Sequence, residues 1–181
     1  MAYVLGMATG KVVSLHLHPA EPGAPLSTVD LVEVVAGKGI RGNGRMFDRV
    51  SRRTGQPTKR QVSLIEREQI AEHAEALGHP GFTPGDVRSN IETEGADLVA
   101  LIGQQVRIGS AVLLFYEPRT PCHKMDALAQ GLRERMENGR HGVMAQVVES
   151  GEIRVGDAIG PAHNVPNASP RRRCRCRLGR N

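Results

Sequence analysis

The chain has no tryptophan and only two tyrosines and three phenylalanines in 181 residues. Single-stranded nucleic acid is commonly held by stacking its bases on aromatic rings, so this supply argues against a stacking platform. Cysteine is also scarce. Cys122 stands alone, and Cys174 and Cys176 sit in an arginine-rich end, so no disulfide framework is expected and a reducing, cytoplasmic setting is. No apolar run approaches the ~20 residues that cross a bilayer. Residues 1–10 are mildly apolar, but they lack a cationic leader and are interrupted by Gly6 and Gly10, so no targeting signal is expected. No glycine-rich turn joins a strand directly to a helix, which excludes a P-loop and a dinucleotide fingerprint.

The net charge of +5 is unevenly spread. Residues 161–181 hold six of the 24 Lys and Arg and none of the 19 Asp and Glu, which leaves 18 cations against 19 acids in the rest. The body is nearly neutral. With 39% hydrophobic residues it can bury a core, and residues 1–160 are read as one domain. The tail, 161–181, lacks apolar periodicity and is expected to be disordered. It could serve as a nucleic-acid arm or a membrane-surface tail, but basic runs are usually only solvated, so nucleic acid is not the expected partner. Cys174 and Cys176 lack the second ligand pair of a structural zinc site.

Short strands dominate the pattern. Residues 11–17 and 29–35 read as strands, with Val29, Leu31 and Val35 on one face. Residues 37–53 carry repeated glycines and cations and read as a loop, and the positive charge continues through Lys59 and Arg60. A strand at 61–65 precedes a helix at 66–77, whose Ile70, Ala74 and Leu77 share a face before Gly78. Residues 87–91 read as a strand that places Arg88 and Asn90 on one side. A turn at 98–102, a hairpin of 105–108 with 111–116, a helix over 124–137 weakened by Gly131, and strands at 142–148 and 153–155 complete the chain. Many short strands with two or three peripheral helices predict a mainly β fold, a closed or partly closed barrel.

Cys122 is the most informative residue. Glu117-Pro118-Arg119-Thr120-Pro121-Cys122-His123-Lys124 lies where a strand gives way to a helix, so the helix terminus and nearby cations should favour a thiolate. Thiolate attacks electrophiles and binds soft metals, whereas a buried core thiol would be inert. Arg41, Arg45, Arg88, Asn90, Arg119, Lys124, Arg140 and His141 fall at strand ends or in loops and could wall one site with Cys122. Guanidinium groups bind phosphate through paired hydrogen bonds, so such a set suits an anionic organic ligand; taken singly, each is also an ordinary solvated loop charge. A Cys-His hydrolase is less well supported, because His123 adjoins the thiol in sequence and only His141 remains as a base. His16 and His18 share a strand face and read as an ordinary polar face rather than metal ligands.

In order and spacing, these motifs resemble the MOSC family, named after the C-terminal domain of molybdenum cofactor sulfurase, and its small free-standing bacterial members in particular. The resemblance rests on Gly39-Ile40-Arg41-Gly42, Gln61-Val62-Ser63-Leu64-Ile65, Arg88-Ser89-Asn90-Ile91, Gly95-Ala96-Asp97-Leu98, Arg119-Thr120-Pro121-Cys122, Arg140-His141-Gly142-Val143 and Gly156-Asp157. It implies a β-barrel that binds molybdenum cofactor (molybdopterin) or handles sulfur, with Cys122 as molybdenum ligand and the basic residues and Asn90 around the pterin and its phosphate. It also carries a family association with pyridoxal phosphate binding. The activity implied is an oxidoreductase that reduces small N-hydroxylated substrates using an electron-donor protein. The alternative is a persulfide carrier served by a sulfur donor. Asn43 departs from the family pattern, which commonly has an acidic residue there, and the extra N-terminal domain of longer amidoxime reductases is not expected.

Overall fold

The computed structural model describes residues 10–162. The elements in chain order are β1 (Gly10–Leu17), β2 (Ser27–Val29), β3 (Leu31–Val35), β4 (Gly39–Ile40), β5 (Val62–Glu66), α1 (Arg67–Ala76) and β6 (Ile91–Glu94). They continue with β7 (Gln105–Ile108), β8 (Ala111–Pro118), α2 (Lys124–Leu128), α3 (Leu132–Arg135), β9 (Val143–Glu149), β10 (Gly151–Arg154) and β11 (Ala158–Pro161).

One sheet runs β11-β7-β8-β9-β5-β6-β1-β2, and β11 also pairs with β1, so the strands from β11 to β1 close a barrel and β2 extends its edge. The fold is mainly β, as expected. Closure leaves few unpaired strand edges. The pairs are antiparallel except β5–β6, where Leu64 faces Ile91 in parallel register because α1 returns the chain to the same end. Leu15, Leu64, Ile91, Ile108, Leu113 and Phe115 are fully buried in the barrel core. A smaller sheet, β10-β3-β4, packs Val32, Val34, Ile40 and Ile153 onto that core. Outside the barrel, Ile65, Ile70, Val87, Met125, Leu132 and Met136 form a second cluster that seats the three helices.

Three expectations change. Residues 29–35 are two strands broken at Asp30: Val29 pairs with Leu15 in the barrel, while Val32 and Val34, not Leu31 and Val35, point into the core. The helix expected over 124–137 divides into α2 and α3, because Ala129 turns extended after Leu128 and Gly131, at φ +84°, leads into α3. Residues 87–91 do not form a strand. Arg88 is left-handed, with φ +57°, and β6 begins only at Ile91. The arginine-rich tail with Cys174 and Cys176 lies outside the described residues, as do residues 1–9. Among the described residues, no helix is long and apolar enough to cross a membrane.

Candidate functional site

Two neighbouring loops and one sheet edge build the site. β8 ends at Pro118, and Arg119 stays tied to β9 through its N–H to the Gly142 carbonyl at 2.9 Å. The chain then turns outward, so Cys122 stands exposed just before α2, its carbonyl accepting the Met125 N–H at 3.0 Å. α2 has only five residues, so its dipole is a weak source of field; the positive charge around Cys122 comes from side chains.

Across the cavity, buried amides pin the end of β1. Asn90 accepts from the Ser63 N–H and Oγ through its Oδ1 and donates from Nδ2 to the His16 carbonyl and to Asn43 Oδ1. Asn43 Oδ1 also accepts the His18 N–H at 2.7 Å. Gly44 closes this corner. A Cβ there would lie 2.7 Å from the Pro19 carbonyl oxygen and 2.8 Å from that of His18, so the loop can approach only as glycine.

The walls enclose two cavities of about 210 and 580 Å³ that share His18, Met46 and Arg119. Cys122 opens on the smaller one, with Glu21, Arg88, Lys124 and Met125. The larger one is lined by Arg49, Arg52, Arg53, Arg60, Ser63, Asn90 and Thr120. Elsewhere most cations are matched: Lys11, Lys38, Arg41, Arg67, Arg107, Arg140 and Arg154 each lie near a carboxylate, and Lys59, Arg133 and Arg135 are the exceptions among the described residues. Around the cavities Arg60 reaches Glu117 at 3.5 Å, but Arg49, Arg52, Arg53, Arg88, Arg119 and Lys124 have no carboxylate within 4.0 Å among the described residues. Uncompensated positive charge therefore collects at this site.

Arg119 spends its donors on backbone, with Nη1 to the Val87 carbonyl at 3.2 Å and Nη2 to the Arg88 carbonyl at 2.9 Å. It is enclosed by protein yet keeps part of its surface on both cavities. Its pKa is lowered to about 10, chiefly by burial, with Arg60 and Arg88 adding to the shift and the Cys122 sulfur opposing it. His141 is buried, and its pKa falls to about 3, first through desolvation and then through Arg119. Neither of its ring nitrogens makes an aligned hydrogen bond, although the Val87 and Thr120 carbonyls lie nearby.

The MOSC domain model matches residues 37–160. The chain belongs to the MOSC domain family. The YuaD protein from Bacillus subtilis has a similar structure, with a TM-score of 0.69 at 22% identity over 83% of this chain and 94% of that one. YiiM from Escherichia coli follows with a TM-score of 0.61 at 18% identity, over 87% and 72% of the two chains. YiiM from Geobacillus stearothermophilus gives 0.58 at 17%, over 86% and 74%. These similarities show the fold. No curated protein matches the chain.

Within this MOSC domain, Cys122, Arg88, Arg119 and Lys124 meet at the smaller cavity, and Asn90 reaches the larger one. Arg41 pairs with Glu33 on the surface, and Arg140 pairs with Glu72, so neither lines a cavity. His141 lies buried behind Arg119 rather than on a cavity wall. Arg45 falls in the turn Gly44–Met46, and its side chain lies outside the described residues. Sequence reasoning missed His18, Met46 and the wall from Pro19 to Gly23; the Pro-Ala-Glu-Pro-Gly run at 19–23 was the available signal for a fixed loop there.

The MOSC family is molybdenum-cofactor-related. The donors here suit a group that brings ligands of its own. Among the described residues no three His, Cys, Asp or Glu side chains converge on one point, whereas one exposed thiol stands beside unpaired cations. A soft metal already held by sulfur could accept that thiol while the arginines balance anionic groups.

Proposed function

We propose that this MOSC domain binds molybdenum cofactor through Cys122 and reduces small N-hydroxylated compounds. The observation that carries this reading is the exposed Cys122 thiol on a cavity that shares Arg119 with a larger, arginine-lined one. When bound, the group supplies a two-electron couple near the thiol. Cleaving an N–OH bond consumes two electrons and two protons and yields the N–H compound and water, with the electrons coming from an electron-donor protein.

The chain's own residues bind and orient. Arg49, Arg52 and Arg53 offer unpaired guanidinium groups to a phosphate in the larger cavity. Arg119, already fixed on two carbonyls, keeps its charge between the cavities. Asn90 has its amide engaged with Ser63, His16 and Asn43, so it shapes the wall instead of donating to the ligand.

Turnover of benzhydroxamate with reduced methyl viologen tests this reading. Cys122→Ala should abolish molybdenum-dependent activity while circular dichroism stays unchanged; full activity in that variant would sink it.

A second reading is favoured by the exposure of Cys122: an accessible thiol can be loaded as a persulfide and hand its sulfur onward. Incubation with a cysteine desulfurase and cysteine should then leave a sulfur adduct on Cys122 that dithiothreitol removes. Its absence by mass spectrometry counts against the carrier.

A further inference from the structure

The smaller cavity differs from the larger in size and in charge. At about 210 Å³ it falls below the range of roughly 300–1,000 Å³ that takes drug-sized ligands, so its occupant is a single ring or a short chain. Arg88, Arg119 and Lys124 face it against one acid, Glu21, and none of the three cations has a carboxylate partner among the described residues. Their charge is available to a ligand because Arg119 and Arg88 hydrogen-bond only to neutral carbonyls.

The wall opposite Cys122 is also held in place. Arg88 Nη1 donates to the Ala24 carbonyl at 3.0 Å, tying the segment that carries Glu21 to the turn before β6, and Gly44 packs against the carbonyls of His18 and Pro19. Met46 and Met125 supply apolar surface beside these charges. A compact, positively charged chamber with apolar sides is complementary to a small ring bearing a negative charge.

We propose that the smaller cavity is the substrate chamber and selects compact anionic N-hydroxy compounds, such as carboxylate-bearing hydroxamates, over their cationic counterparts. This rests on the reductase reading above and narrows its substrate class. The hydroxamate N–O bond breaks, its oxygen leaves as water after taking two protons, and the two electrons come from the donor, leaving the carboxamide.

The test uses the full chain purified from a cofactor-producing host and a pair matched in shape but opposite in charge. With reduced methyl viologen as donor, kcat/KM is measured for 4-carboxybenzohydroxamate and 4-amidinobenzohydroxamate. Calorimetry then gives the affinity of the corresponding carboxamides, which needs no turnover. The carboxylate is expected to be preferred about tenfold in both readouts, with the preference shrinking in high salt. Lys124→Glu should remove most of it and Glu21→Lys should enlarge it. Equal affinities, an amidine preference, or no binding of either carboxamide overturns the chamber assignment, even if turnover is found. A carboxylate preference in binding without any turnover upholds the anionic chamber and removes the reductase reading instead.

Discussion

The Arg119 guanidinium donates to the backbone carbonyl of Arg88 at 2.9 Å, so one arginine of the site is held by the main chain of another. The contact depends on the left-handed backbone at Arg88, which turns the chain between Val87 and Ser89 and presents two successive carbonyls to the same guanidinium. The two positive charges repel, and Arg88 contributes to the lowered pKa of Arg119. Two like charges kept together by neutral carbonyls favour any anion that enters the cavity they share.

The left-handed conformation costs a residue with a Cβ about 1 kcal/mol, which glycine escapes. Arg88→Gly and Arg88→Ala both delete the guanidinium, but the glycine variant should be the more stable by about that amount in urea unfolding. Both should lose anion affinity equally. Equal stability would mean that the backbone there carries no strain.

Asn90 holds together β5, β1 and the loop of Asn43 with both ends of its amide. Asn90→Ala strands the Ser63 N–H in a buried setting and takes one of two donors from Asn43 Oδ1, which keeps the His18 N–H, at a cost of roughly 2–4 kcal/mol for the lost and unsatisfied bonds. Denaturant midpoints of the two proteins measure this; a loss below about 1 kcal/mol would show that water replaces the amide.

His141 makes acid stability predictable in sign. Its folded pKa, about 3, lies below the ordinary value, so the unfolded chain binds more protons between those limits. Stability should therefore fall as pH drops from about 6.5 towards 3, with His73, also lowered by burial, adding to the same slope. His141→Phe, which deletes two unpartnered nitrogens, should flatten that acid limb in thermal melts taken across pH. An unchanged slope would place the titration elsewhere.

Glu66 works in the opposite direction. Burial raises its pKa, with Asp97 and Glu68 adding to the shift, while the Leu98 N–H donates to Oε1 and Oε2 has no partner. The folded state prefers the protonated acid, so stability is lost as pH rises through the raised pKa. Glu66→Gln should gain stability relative to wild type at pH 8, and the gain should shrink at pH 4. A constant difference at both pH values would contradict this.

The barrel was legible in the sequence because alternation along β7 and apolar runs along β5 and β8 depend on local residues alone. The Arg119-Thr120-Pro121-Cys122 turn was legible for the same reason. What local pattern could not convey was which face each neighbour takes once the chain turns. Arg140 and His141 adjoin in sequence, yet one pairs with Glu72 at the surface and the other is buried behind Arg119. Arg88 and Asn90 looked like one face of a strand, but the positive φ at Arg88 breaks that periodicity. His18 was hidden because its place depends on Asn43, 25 residues away, and Asn43 is itself held by Asn90.

Molybdenum binding through Cys122 is tested most directly by metal and pterin content. Wild-type protein and Cys122→Ala, made in a cofactor-producing host, are compared by elemental analysis and by fluorescence of the oxidised pterin. Ligation predicts molybdenum and pterin together in the wild type and loss of molybdenum from the folded variant. Equal molybdenum in both proteins, or none in well-folded wild type after incubation with cofactor, would contradict it.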